Sequence, residues 1–378
     1  MSNKTKILVN FAKLKKGGGQ NVALNFLNGL CKVNLDKFEL SFIVADNSGP
    51  HVFLQNSGEF KYFVAPSNSI YCLFWEALFS LRKLRSGRFD VIYTYFGYSF
   101  FLFGNTFQVS GSADSNLFYP EVDFWKGEPA LKRCFRWLVD KYRIYGLKKS
   151  EAIIFENPDM QKKGKNIFGL KFTKLVLPSI TGNSQMAKRT RLFSKDNLNI
   201  LLLCGWQRNK GILKVPEIIV EAKKQNINLI FTLTAGKVNC AVGVEFKALV
   251  DEFGVQKNIN IVDPVKKEDL AATYNKCDFV MLLSKLESFS NNIIEAWYYK
   301  VPLIVANESW SKAICNNAAI YVDRENPEVL VSALCDYIEH SELRNEKIRL
   351  GILELEKYPL IEERIIQELN YVSEFKTI

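Results

Sequence analysis

Short apolar runs rich in β-branched residues recur along the chain and alternate with longer stretches whose apolar positions return every three to four residues. A run of four to seven apolar residues fits a strand buried on both faces, and the longer pattern fits a helix laid against it. The alternation therefore predicts βαβ units and mostly parallel sheets, an α/β fold. In the first half, residues 6–11 (KILVNF), 38–44, 91–95 and 152–155 are predicted strands, with a glycine-rich loop at 17–19 and an amphipathic helix at 21–31. The second half starts afresh with a strand at 198–204 (LNILLLC), a loop at 205–211 and a helix at 212–224. Strands at 228–234, 258–262, 279–284 and 301–306 follow, separated by helices at 244–253, 267–276 and 291–299. Helices at 326–340, 342–355 and 360–375 close the chain.

Between the halves, residues 179–196 (SITGNSQMAKRTRLFSKD) are polar, carry glycine and have no sustained period, which marks a linker. The 378 residues exceed the roughly 150 of an average domain, so two domains are expected. They are placed at 1–185 and 197–359, with the last helix, about 360–378, packing back on the first domain. No internal repeat of 20 to 50 residues is visible.

Composition narrows the class. Hydrophobic residues at 48% and charged residues at 24% fit a globular protein. No apolar run reaches the roughly 18 residues that span a bilayer, and the apolar core near the start is too short for a signal peptide, so a cytoplasmic chain is expected. The eight cysteines are scattered, without CxxC pairs or adjacent histidines, so neither a zinc site nor a disulfide framework is expected and the thiols read as reduced and mostly buried. The net charge of +10 is uneven: residues 1–200 hold 29 Lys and Arg against 15 Asp and Glu, whereas residues 201–378 hold 21 against 25. A basic first half suits an anionic partner such as nucleic acid, a membrane surface or a phosphorylated acceptor, and simple solubility would produce the same asymmetry. Aromatic and basic residues interleave at 75–88 and 132–149, either as faces for anionic lipid or as core helices with solvated cationic sides.

Ligands of open parallel sheets bind beyond the carboxyl ends of the strands, so candidate chemistry is sought in those loops. In residues 15–20 (KKGGGQ), Gly18 and Gly19 would let a phosphate approach the backbone, although a structural turn would look the same. In residues 205–211 (GWQRNKG), Arg208 and Lys210 could neutralise a diphosphate, or form a solvated basic turn. In residues 284–295 (SKLESFSNNIIE), Glu287 ends a strand and Glu295 lies inside the next helix. A carboxylate offers two acceptor oxygens, so the first can bind sugar hydroxyls and the second a ribose diol. Ser290, Asn291 and Asn292 stand where helix caps belong and would face a ligand's phosphates. Both glutamates could instead compensate a helix N-terminus, but Glu295 lies among Ile293, Ile294, Ala296 and Trp297, where an unpaired acid is costly to bury. On the other side, residues 110–116 (SGSADSN) offer Asp114, either for an acceptor hydroxyl or as a loop cap.

The spacing from Glu287 to Glu295, followed by Ala296 and by Lys300-Val301-Pro302-Leu303-Ile304-Val305-Ala306, resembles the EX7E motif of glycosyltransferase family 4. Lys15 to Gly19 is similar to that family's glycine-rich first loop, Gly205 to Gly211 to its basic loop, and residues 318–323 to its closing segment. The likeness is good over residues 198–335 and diffuse over 1–180. It implies a GT-B fold, two Rossmann-like domains facing across a cleft, with the nucleotide sugar held by the C-terminal domain and the acceptor by the N-terminal one. Transfer would retain anomeric configuration. Glu295 would hold the ribose, Glu287 the donor sugar, and Arg208 with Lys210 the diphosphate. No metal or cofactor is implied beyond a UDP- or GDP-linked co-substrate. The chain departs from the pattern in three respects: Ser288 and Ser290 replace glycines, Trp206 stands where the arginine is usual, and neither His51 nor His340 matches the family's N-domain histidine.

The resulting expectation is a retaining glycosyltransferase acting on a glycan or polyprenyl-diphosphate-linked acceptor in bacterial surface polysaccharide assembly, cytoplasmic or peripheral at the inner face of the membrane, with no nucleic-acid partner. Two alternatives stay open: a non-catalytic basic adaptor for nucleic acid or membranes, supported by charge alone, and another GT-B enzyme such as an epimerase or phosphorylase.

Overall fold

The computed structural model describes residues 4–84, 88–98, 106–180, 191, 193 and 196–376. The chain divides into two compact units, the first made of Met1–Thr181 with Pro359–Ile378 and the second of Gly182–Tyr358.

In the first unit, β1 (Thr5–Asn10), α1 (Gly17–Leu30), β2 (Phe38–Ala45), α2 (Gly49–Ser57), β3 (Lys61–Ala65) and α3 (Ser69–Phe79) lead to β4 (Val91–Thr94). Then come β5 (Phe107–Ser112), α4 (Ala130–Lys149), β6 (Ala152–Phe155), α5 (Pro158–Phe168) and β7 (Phe172–Leu175). The strands form one sheet in the order β3-β2-β1-β4-β5-β6-β7, each described pair parallel. Local chemistry sets the helix ends: Ser48 accepts from the His51 amide ahead of α2, Asn157 accepts from the Asp159 and Met160 amides ahead of α5, and both helices stop on left-handed glycines, Gly58 and Gly169.

The second unit runs β8 (Leu198–Leu202), α6 (Val215–Lys224), β9 (Leu229–Leu233), α7 (Ala241–Glu252), β10 (Ile259–Ile261), α8 (Leu270–Tyr274) and β11 (Phe279–Leu282). It continues through α9 (Asn291–Tyr298), β12 (Leu303–Ala306), α10 (Ser309–Cys315), β13 (Ile320–Val322), α11 (Pro327–Glu339) and α12 (Ser341–Leu355). Its sheet is again parallel, in the order β10-β9-β8-β11-β12-β13. The last helix, α13 (Ile361–Ser373), belongs to the first unit.

Both orders reverse direction beside the first strand of their sheet, between β1 and β4 and between β8 and β11. Connections on the two sides of such a switch point leave in opposite directions and open a crevice at the carboxyl ends of the strands. The fold therefore names two places to look for chemistry, one per unit.

The first core is aromatic. Phe11 stacks on Phe42 and meets Phe26 and Tyr95 edge-on, while α13 adds Ile365, Leu369 and Val372 to the same cluster. It also contains charge: Arg364 of α13 lies 2.7 Å from Glu156 and 2.8 Å from Glu368, with all three residues buried. In the second unit Asp278 is fully buried, accepts two bonds from Arg191 at 2.8 and 2.7 Å, and takes the Asn199 amide at 2.8 Å. Among the described residues, no helix is long and apolar enough to cross a membrane.

Several local expectations change. The glycines read as a loop form the first turn of α1, because Lys16 is extended and the helix starts at Gly17. The polar run at 110–116 does not open as a loop, since Ser110–Ser112 completes β5. Residues 75–88 do not form one helix: α3 ends at Phe79, a π-helical turn follows over Ser80–Leu84, and 85–87 lie outside the described residues, as does most of the expected linker. Of the cysteines, Cys72, Cys204, Cys277 and Cys315 are buried, whereas Cys31 and Cys134 are exposed.

Candidate functional site

The second unit's switch point is built by two loops, residues 203–211 after β8 and 283–290 after β11, held together by polar contacts. Asn209 is central to them. Its side chain donates to the Leu286 carbonyl at 2.9 Å and accepts the Leu286 amide at 3.2 Å, while its own carbonyl receives the Lys285 amide at 2.8 Å. Arg324, buried at the end of β13, donates to the Leu283 carbonyl at 2.7 Å and the Asn209 carbonyl at 3.2 Å. The approach is close enough to require glycine. Gly211 has φ +73°, and an added Cβ would stand 2.7 Å from both Leu283 Cβ and Leu283 O.

This frame delivers Lys210 to Glu287. The ammonium Nζ donates to Glu287 Oε1, and the Ser284 hydroxyl donates to the same oxygen at 2.6 Å. Both charged side chains are about four-fifths shielded, with exposures of 21% and 14%, so their interaction is only weakly screened. Arg208 goes elsewhere: its guanidinium takes both carboxylate oxygens of Glu245 on α7, in an exposed pair. The sequence suggests one diphosphate for the two cations, whereas the structure gives them different carboxylate partners. Arg208 lies in a one-turn 3-10 segment, Arg208–Lys210, whose tight pitch turns neighbouring side chains apart.

Glu295 projects from α9 and accepts from the Tyr274 hydroxyl at 2.8 Å. Tyr274 is fully buried and stacks on Tyr299 at 4.6 Å, which fixes the donor hydroxyl. Burial pushes the Glu295 carboxyl above its usual range, and the Tyr274 hydrogen bond works against that rise. A ligand whose hydroxyls donate to Glu295 binds the ionised form. Affinity for such a ligand should therefore fall as pH is lowered from neutrality, beginning above the pH at which an ordinary glutamate protonates. Nucleotide titrations between pH 8 and about pH 5 check this, and an affinity flat across that window would remove Glu295 from the contact.

Helix α9 begins without a side-chain cap bond from Ser290 and without an acidic residue in its first turn. Its leading amides and dipole thus keep their electropositive character beside Lys210 and Glu287. Asn291 is exposed, whereas Asn292 donates to the Leu203 carbonyl at 2.9 Å and ties α9 to the end of β8. Asn292 is occupied as a brace.

The first unit's switch point carries its own polar cluster. Glu76 of α3 is fully buried, receives Asn10 Nδ2 at 3.4 Å and lies 3.9 Å from Lys13. Lys13 also donates to the Tyr98 carbonyl and sits 4.3 Å from the centre of the Tyr98 ring. Asp114 is 3.6 Å from Arg143 of α4, which is 3.3 Å from Asp140. Burial raises the Asp114 carboxyl and Arg143 opposes the rise. Gly18 has open space where a Cβ would be, and Gly19 faces Leu14. His51 is committed locally, its Nδ1 accepting the Asn47 amide at 3.1 Å, and His340 lies half exposed after α11.

Lys210, Glu287, Glu295, Asn292 and Asp114 stand out in the sequence, whereas Asn209, Tyr274, Arg324, Lys13, Glu76 and Arg143 do not. Asn209 is readable in principle, because it stands between the two candidate cations. The other partners lie tens of residues away along the chain.

Residues 187–351 match the family described as glycosyl transferases group 1. A D-inositol 3-phosphate glycosyltransferase of Paenarthrobacter aurescens (strain TC1) is 25% identical over 193 residues, which cover 49% of this chain and 45% of that protein, so the chain spans less than half the length of this curated relative. Over the whole chain the fold is similar to that of a glycosyltransferase from Rickettsia africae ESF-5, at a TM-score of 0.72 and 15% identity, covering 99% of each chain. It is similar also to Anabaena Alr3699/HepE, solved in complex with UDP and glucose, at a TM-score of 0.64 and 15% identity over 97% of this chain and 99% of that one. The architecture is thus the GT-B fold, and residues 187–351 match the family described as glycosyl transferases group 1.

Proposed function

We propose that the protein is a retaining glycosyltransferase that moves a sugar from a UDP- or GDP-linked donor to a glycan or polyprenyl-diphosphate-linked acceptor, in bacterial surface polysaccharide assembly. One observation carries the reading most: Lys210, Ser284 and Glu287 converge at the switch point, beside an uncapped α9 that bears Glu295.

In the reaction, the bond from the anomeric carbon to the diphosphate breaks and one to the acceptor hydroxyl forms on the same face of the sugar. Negative charge grows on the departing diphosphate. Lys210 and the α9 amides, with Asn291 at the helix start, would receive it, so this reading assigns the step no metal. The ribose diol binds Glu295, already oriented by Tyr274, and the donor sugar's hydroxyls bind Glu287, whose pairing with Lys210 is exchanged for the substrate. Arg208 contributes only if its exposed pair with Glu245 opens. On the acceptor side, Asp114 meets the acceptor hydroxyl while Lys13 and Arg143 offer cations to a phosphorylated acceptor. The curated relative's name specifies a phosphorylated acceptor for that protein. Gly18 and the start of α1 leave the backbone open to the same ligand.

Thermal shifts with UDP, GDP and their sugars, followed by mass detection of the free nucleotide with and without acceptor, test the proposal. One nucleotide series should raise the melting temperature, and Glu295→Ala should cancel the rise. No response to any nucleotide would end the reading, and RNA binding in its place would favour an adaptor. Sugar conversion without acceptor would favour an epimerase, and phosphate-dependent cleavage a phosphorylase.

A further inference from the structure

Helix α4 is twenty residues long, yet Leu147 is its only buried residue. A helix of that length in a folded domain normally buries a full stripe. Here the apolar residues are turned outward: Leu131 is 88% exposed, Phe135 63%, Trp137 57%, Leu138 55% and Tyr145 58%. Leu131, Phe135, Leu138 and Tyr145 are spaced four, three and seven apart, which puts them on one face of the helix. The same helix holds seven Lys and Arg residues and a single acid, Asp140. Asp140 is turned inward, accepting from Asn116 and from the Trp125 indole, so it does not neutralise the outer face.

Helix α3 repeats the design. Cys72 and Glu76 point inward and are buried, while Ile70, Tyr71, Phe74 and Leu78 are between 53% and 67% exposed. Arg82 and Lys83 follow in the π-helical turn. The inner faces of both helices reach Lys13: Glu76 of α3 pairs with it, and the Tyr98 ring beside it meets Tyr142 of α4 at 4.9 Å, edge-on. The two exposed faces therefore flank one junction of the first unit, at the carboxyl ends of β1 and β4.

We infer that the outer faces of α3 and α4 form a docking surface for an anionic lipid bilayer. Large aliphatic and aromatic side chains bearing cationic neighbours match the boundary between acyl chains and acidic headgroups, where aliphatic groups bury and Lys and Arg stay at headgroup level. Lys141 over the Trp137 ring and Lys149 over Tyr145 already hold cation and aromatic together in that arrangement. A nucleic-acid face would present stacking aromatics among polar groups, and Leu131, Leu138, Ile70 and Leu78 offer nothing to a phosphate backbone. A second copy of the chain would oppose one strongly basic helix with another. The inference is independent of the donor reading, because it concerns binding and not turnover.

Co-sedimentation tests it, using the whole protein with phosphatidylcholine vesicles containing about 30% phosphatidylglycerol and with vesicles of phosphatidylcholine alone. The expected result is binding to the anionic vesicles that weakens as salt is raised and drops at least about tenfold on pure phosphatidylcholine. Phe135→Ser with Leu138→Ser, and separately Lys141→Glu with Lys149→Glu, should each lower binding several-fold while the melting temperature stays within a few degrees. These positions are exposed, so both variants should fold. The inference is overturned if the protein ignores anionic vesicles, if either double variant binds as wild type, if RNA binds and vesicles do not, or if Phe135→Ser with Leu138→Ser dissolves a dimer without changing vesicle binding.

Discussion

Replacing Lys210 by alanine should lower the proposed glycosyl transfer by about 10²–10³-fold while leaving the protein folded. The residue lies in a short 3-10 turn outside the hydrophobic core and, among the described carboxylates, forms an ion pair with Glu287 alone. In the proposed reaction its charge would matter most when the diphosphate leaves, because a partly shielded cation acts on developing anionic charge with less screening than one in water. The loss should therefore fall mainly on kcat, with a smaller rise in the Michaelis constant for the donor. Lys210→Arg should recover part of the loss, limited by the planar guanidinium at a site shaped for a point charge. Urea melts of the variant set beside single-turnover assays with the identified donor separate the two effects. A variant with wild-type turnover would take Lys210 out of the reaction.

Replacing Arg364 by methionine should cost about 3–5 kcal/mol of stability, because it leaves Glu156 and Glu368 buried together without their cation. Glu368 is already raised by burial, with Arg364 as the leading influence pulling it back down. In the variant that restraint is gone, so the folded-state carboxyl binds a proton more tightly than in the unfolded chain. Stability then increases as pH falls through the elevated pKa and declines as pH rises through it. The measurable pattern is a large deficit in urea unfolding at pH 8 that narrows toward pH 5. Adding Glu368→Gln should restore part of the deficit at pH 8. A pH-independent loss would mean that lost packing, not uncompensated charge, dominates.

What could be read from the sequence follows a physical line. Strands buried on both faces announce themselves as apolar runs, so β1, β8, β11 and β12 were visible, and with them both sheets. β5 was not, because its sequence ends in Ser110-Gly111-Ser112 and resembles a turn. The structure explains the residues: a Cβ on Gly111 would overlap the Tyr95 carbonyl oxygen, so this buried strand must be small-sided where the chain after β4 passes over it. β3 alternates only weakly, and α2 and α3 carry apolar residues on outer as well as inner faces, which blurs the helical period. At the candidate site, Glu287 and Glu295 stand out in the sequence because one segment holds both, eight positions apart. Tyr274, which orients Glu295, and Arg324, which clamps the loops, do not, since only the folded sheet brings them near. Arg208 is the contrasting case: it stands two positions from Lys210, yet in the fold its guanidinium pairs with Glu245, 37 residues on.

The placement of α13 bears on how the chain is made. The first unit lacks its final helix until residue 373 has been synthesised, and residues 182–358 lie between. At about 5–20 residues per second, that interval is on the order of ten seconds or longer. Throughout it, the sheet face that will receive Ile365, Leu369 and Val372 stands open and Glu156 has no Arg364. The second unit, contiguous in sequence, can close first. Order of emergence and order of completion are thus reversed between the two units, and a ribosome stalled inside α11 or α12 would display an unfinished first unit to chaperones and proteases.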